Sequence, residues 1–199
     1  MFENRTCLHD QCRRHVVHGS EFCFRHTPDS ASHLRLLTTM LAGSREFVSL
    51  SLNRVPFSGQ DWSGKLFNGC SFMGAEYSEM HLDGATFRHC FFDFSQWSRV
   101  SAKGVTLLFC SFSGAHQRMV DWTGSDLLHV NFNALEASDC LFSESDLYFS
   151  RFVGADLKGV KFVDCNLKKT QFTGSRLERV DFRYSNDDES EFDEVTRIP

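Results

Sequence analysis

Three cysteines and a histidine near the amino terminus are of the types that hold a metal. They are spaced Cys7-x4-Cys12-x10-Cys23-x2-His26. Three thiolates and one imidazole are the donor set of a closed, tetrahedral zinc site. Such a zinc is structural, and it would supply folding energy to a segment too short to have a core of its own. His15 or His18 could replace His26 as fourth donor. Without metal, the same segment would be a mobile leader.

Other chemistry-bearing patterns are missing. The 199 residues contain no nucleophile elbow, phosphate loop, paired catalytic carboxylates or HExxH, so no enzymatic activity is expected. Cys70, Cys90 and Cys110 are 20 residues apart and share one side of the chain. Thiols stacked in parallel inside a dry core cannot surround a metal, so these read as packing residues. The opening residues MFENRTCLHDQCRRH have no apolar h-region. Eight cysteines without an export signal are expected to be reduced thiols in the cytoplasm. No run approaches the ~18 apolar residues of a membrane helix.

The elements that must carry these residues follow from a repeat. From Phe47 to Phe192 every fifth residue is Phe, Leu, Trp or Tyr, except Ala102, Gln117, Ala137 and Asp187. Small residues such as Cys70, Ala75, Ala85 and Cys90 sit two positions earlier. An extended chain points residues two apart to the same side. Eleven of the 13 glycines fall two positions after the bulky residue, where a turn with positive φ suits glycine. A turn every five residues, with the same two side chains inward, gives a coil with four short sides and 20 residues per coil. One inward column would read Leu52, Phe72, Phe92, Phe112, Phe132, Phe152, Phe172 and Phe192. Thirty units make about seven and a half coils, roughly 36 Å long at the ~4.8 Å strand spacing.

The units Ala155-Asp156-Leu157, Cys165-Asn166-Leu167, Ser145-Asp146-Leu147 and Ser125-Asp126-Leu127 resemble the A(D/N)LXX unit of the pentapeptide repeat family. The resemblance covers about residues 45–194. It implies an all-β fold, a right-handed quadrilateral β-helix without enzymatic activity of its own. The expected organisation is a Cys/His segment over 1–28, a capping α-helix over 29–44, the β-helix over 45–194 and a tail over 195–199. Asp29 or Ser30 can start the helix and Gly43 can end it. A β-helix end exposes core side chains and unpaired strand edges, so a cap is needed there.

One exterior face stands out. Leu108, Phe109, Leu128, His129, Tyr148 and Phe149 should be contiguous on three successive coils, between Arg88 and His89 on one side and Lys168 and Lys169 on the other. An apolar patch bounded by cations is expected to bind a protein or a second copy of the chain. The net charge is −5, and residues 45–186 carry 15 basic and 16 acidic residues. Asp187, Asp188, Glu189, Glu191, Asp193 and Glu194 are placed to solvate the last coil and block end-to-end stacking. The leading expectation is therefore a non-enzymatic, protein-binding scaffold. The alternative, suggested by the family, is a DNA-mimicking protein that acts on gyrase or another topoisomerase. That needs negative charge along the rod, which the sequence confines to one end. No small-molecule, membrane or nucleic-acid partner is expected.

Overall fold

A left-handed residue at every fifth position sets the architecture. The computed structural model describes residues 5–198. From Ser49 to Glu194 each corner residue has φ between 50° and 69°. Glycine occupies eleven of these corners, and other residues fill 19. The coil thus imposes a conformation that costs an L-residue about 1–2 kcal/mol wherever glycine is not used.

Short extended segments between corners stack in parallel, each on the segment 20 residues away. Glu46–Val48, Leu66–Asn68, Thr86–Arg88, Thr106–Leu108 and Asp126–Leu128 form a five-stranded sheet. An eight-stranded sheet runs from Pro56–Ser58 to Thr196–Ile198. The other two sides are held by single bridges, such as Ser71 to Phe91 and Asp61 to His81. The coil therefore does not end at 194. Thr196–Ile198, within the expected tail, pairs with Arg176–Glu178 as a further strand, because the five-residue turn at Glu194 repeats once more.

Inside, the phenylalanine column forms as a stack. Phe72 and Phe92 have centroids 4.9 Å apart and lie within 1° of parallel, and Phe152 and Phe172 are 5.1 Å apart. A second stack, Phe142, Phe162 and Phe182, occupies the neighbouring side. Rings of the two stacks meet edge to face, as with Phe152 and Phe162 at 84°, a geometry that aromatic quadrupoles favour. Gln117 is buried in the bulky register; its Oε1 accepts from Trp122 Nε1 at 3.0 Å, while Nε2 has no partner.

The amino-terminal end is covered twice. The helix α1 (Ser30–Gly43) starts at Asp29, whose side chain accepts from Ser32 N, and buries Leu37 and Leu41. The segment before it buries Val16 and Val17. It joins the first coil through His18 N to Ser51 O at 2.7 Å and Ser51 Oγ to Val16 O at 2.7 Å.

Candidate metal centre and exterior ring stack

The head folds around a short antiparallel contact. Thr6 bridges His15, Cys7 N donates to Arg14 O, and Val16 N donates to Arg5 O. The chain between Cys7 and Cys12 closes with Gln11 at φ 60° and Cys12 N donating to His9 O. After Cys23, one 3-10 turn over Phe24–His26 returns His26 to the same place, with His26 N on Cys23 O at 2.9 Å. Two tight turns and one hairpin thus bring four donors together.

The Cys7, Cys12, Cys23 and His26 donor atoms all lie within 4.8 Å of one another. Cys7 Sγ is 3.5 Å from His26 Nδ1. With Zn–S of about 2.3 Å and Zn–N of about 2.0 Å, tetrahedral donors are roughly 3.5–3.8 Å apart, so the residues fit a zinc-sized ion. His15 and His18 stand outside the group. Stacking on His9, at a centroid distance of 3.9 Å, fixes the His26 ring.

Electrostatics favour ligation at Cys7 and His26 and oppose it at Cys23. Burial opposes ionisation of Cys7, but hydrogen bonds from the Cys23 and His9 backbone and the neighbouring thiols hold its pKa below the ordinary value. Burial pushes the Cys23 thiol up. Desolvation, then the charges of His9, Arg25 and Arg14, lowers the pKa of His26 and favours the neutral, ligating ring.

The rod cysteines are placed differently. Cys70, Cys90 and Cys110 stand in one buried column, and each thiol points at a carbonyl in the coil before, with Cys90 Sγ 3.6 Å from Phe67 O. Burial pushes Cys140 up to about 12 and Cys165 up to about 11. These are protonated packing groups.

Four of the six residues of the expected exterior patch meet as rings. His89, Phe109, His129 and Phe149 stack up one corner at 5.6, 4.9 and 5.2 Å, and Tyr148 lies edge-on to His129 and Phe149. Lys169 Nζ closes the stack 5.2 Å from the Phe149 centroid. Phe109 is 51 % and Phe149 43 % exposed, whereas Leu108 and Leu128 are half-buried beside them. His89 and Lys169, read from sequence only as boundaries, belong to the same column. Their spacing of 20 from Phe109 and Phe149 is the signal that could have placed them.

The coil interior is filled, but its surface is not flat. An open groove of about 580 Å³ runs along the eight-stranded side. It exists because the outward residues flanking a flat strand face stand up as two rows. Along one of these rows His116 Nδ1 lies 3.0 Å from Glu136 and Arg176 3.2 Å from Asp156, each pair joining successive coils.

Residues 115–192 match the family described as a pentapeptide repeat region. No curated protein matches the chain. Among solved structures, the chain is similar to a trypsin-treated variant of QnrB1, a plasmid-mediated fluoroquinolone resistance protein. The identity is 21 %, with 76 % of this chain and 81 % of that one covered and a TM-score of 0.61. HetL, a pentapeptide repeat protein involved in heterocyst differentiation regulation in the cyanobacterium Nostoc, also matches. It is 14 % identical over 78 % of this chain and 92 % of its own, with a TM-score of 0.33. At this identity the likeness to the QnrB1 variant extends to the fold alone. No helix among the described residues is long and apolar enough to cross a membrane.

Proposed function

From the match of residues 115–192 to a pentapeptide repeat region, we propose that this chain is a non-enzymatic scaffold of that family. Its rod presents the exterior ring stack to a protein partner, and a zinc-bound head closes its first coil. The observation that carries this reading is the choice of residue at the corners. Every corner takes a positive φ, and glycine does so at least cost. Phe109 and Phe149 sit there instead, exposed and in register with His89 and His129. Non-glycine residues fill 19 of the 30 corners, so it is the contiguity of these exposed rings over successive coils, not strain at any one corner, that marks a binding surface.

The DNA-mimicking alternative is less well supported. Acids on the rod are met by bases on adjacent coils: Glu79 by Arg99, Asp121 by Lys103, Asp156 by Arg176 and Glu178 by Lys158. A surface neutralised in this way does not present a continuous negative stripe.

Replacing Phe109 and Phe149 together with Glu tests the scaffold reading. Both side chains are exposed, so the melting curve should hold while partner capture, or self-association in size-exclusion chromatography, is lost. Unchanged behaviour in both assays would remove the ring stack as an interface. In a supercoiling assay the protein is expected to leave gyrase unaffected.

A further inference from the structure

The head and the rod meet along one corner, and the space between them is lined with cations. Arg13, Arg14 and His15 of the head face Arg54, Gly74 and Phe94 of the rod across a cleft of about 230 Å³. No carboxylate lines it, although Cys23 of the donor group forms part of its wall. Four rod arginines, Arg99, Arg176, Arg179 and Arg183, each face an acid at 2.7–3.2 Å, whereas others such as Arg88, Arg118 and Arg151 face none among the described residues, so it is convergence on one cleft that sets this group apart. Arg13, Arg14 and Arg54 have no acidic partner among the described residues. His15 Nδ1 is shielded from solvent and also lacks a partner.

Two glycines shape the rod side of the cleft. Arg54 lies across Gly74, where a Cβ would meet Arg54 Cγ at 3.3 Å and Nη1 at 3.6 Å. Phe94, next in the same column, lies over Gly114, where a Cβ would meet its ring at 2.9 Å. The long side chains therefore lie along the corner, and the Phe94 ring remains 64 % exposed. Three guanidinium forks are suited to an anion with several oxygens. An exposed aromatic ring beside them is suited to a planar ring.

We propose that this cleft binds an organic phosphate of the nucleotide class, its phosphate between Arg13, Arg14 and Arg54 and its base against Phe94. Isothermal titration of the full-length, metal-loaded chain with AMP, adenosine and pyrophosphate tests it. AMP should bind saturably, and adenosine at least about tenfold more weakly. Arg14→Ala and Arg54→Ala should each lower AMP affinity about tenfold or more. Phe94→Ala should weaken AMP by about tenfold and leave pyrophosphate unchanged. Unaltered circular dichroism would show that the variants are folded. Absence of saturable heat with AMP and pyrophosphate would overturn the site. So would loss of zinc, instead of anion affinity, in Arg14→Ala, because the arginines would then serve only to offset the charge of the thiolate centre. Equal affinity for AMP and pyrophosphate, insensitive to Phe94→Ala, would overturn the nucleotide assignment.

Discussion

Cysteine serves two opposite ends in this molecule. In the head, two turns and a hairpin converge Cys7, Cys12 and Cys23 on one point beside His26. In the rod, a strictly repeated coil holds Cys70, Cys90 and Cys110 in file, each beside a carbonyl of the preceding coil. Curvature of the backbone, not the residue type, decides which thiols can ligate. An irregular chain brings donors around a centre, whereas a periodic one can only line them up.

The head and the rod should therefore fail separately. Chelation, or Cys7→Ser with Cys23→Ser, is expected to remove on the order of 10 kcal/mol of metal-linked folding energy from the head. Proteolysis should then cut within residues 5–28 while the rod stays resistant. Metal analysis that finds less than about half an equivalent of zinc in the native protein would break this half of the contrast.

Next in size is the rod core. Phe132→Ala, between Phe112 and Phe152 in the stack, should cost about 3–5 kcal/mol in urea unfolding. Zinc content should be untouched. Alkali should separate the regions by a comparable amount, spread over several pH units. Cys140 and Cys165 titrate near 12 and 11 when folded, against about 8.5 when unfolded. A raised thiol pKa contributes stability that is fully present below the unfolded value and is lost as pH climbs to the folded one. Above about pH 8.5 each thiol should lower stability by about 1.4 kcal/mol per pH unit, until its folded value is reached. Cys140→Ala should flatten that slope, and an unchanged slope would show that burial does not govern these thiols. The smallest effect is at a corner. Gly84 has φ 66° and open space around it, so Gly84→Ala should cost only about 1 kcal/mol of backbone strain.

Much of this was legible in the sequence because its causes are local or periodic. A bulky residue every fifth position led to the Phe72–Phe192 stack, and the glycine register led to corners of positive φ. The four donors were readable from their types and spacing, and the structure groups them. What the sequence hid depends on elements meeting. Nothing in the spacing shows that Ser51 would receive the head, or that Arg13 and Arg14 would face Arg54. Asp187 and the acidic run around it obscured the final strand at Thr196–Ile198, whose pairing follows from backbone position alone. The ring stack was read as a patch of six residues, and only coil-on-coil geometry joins His89 and Lys169 to it.

Strand partners in the rod are 20 residues apart, as in Glu46 with Leu66 and Arg176 with Thr196. The chain segment that must close to form any such contact is thus the same at the first coil and at the last. Contact order in most β proteins rises with the reach of their pairings and slows their folding. Here the absolute separation stays fixed as coils are added, so growth resembles adding rungs to a ladder already standing. Inserting a whole 20-residue coil should lengthen the rod by ~4.8 Å and leave the time to add each rung unchanged. A five-residue insertion would instead rotate everything beyond it by one side, moving half of the ring stack to another face.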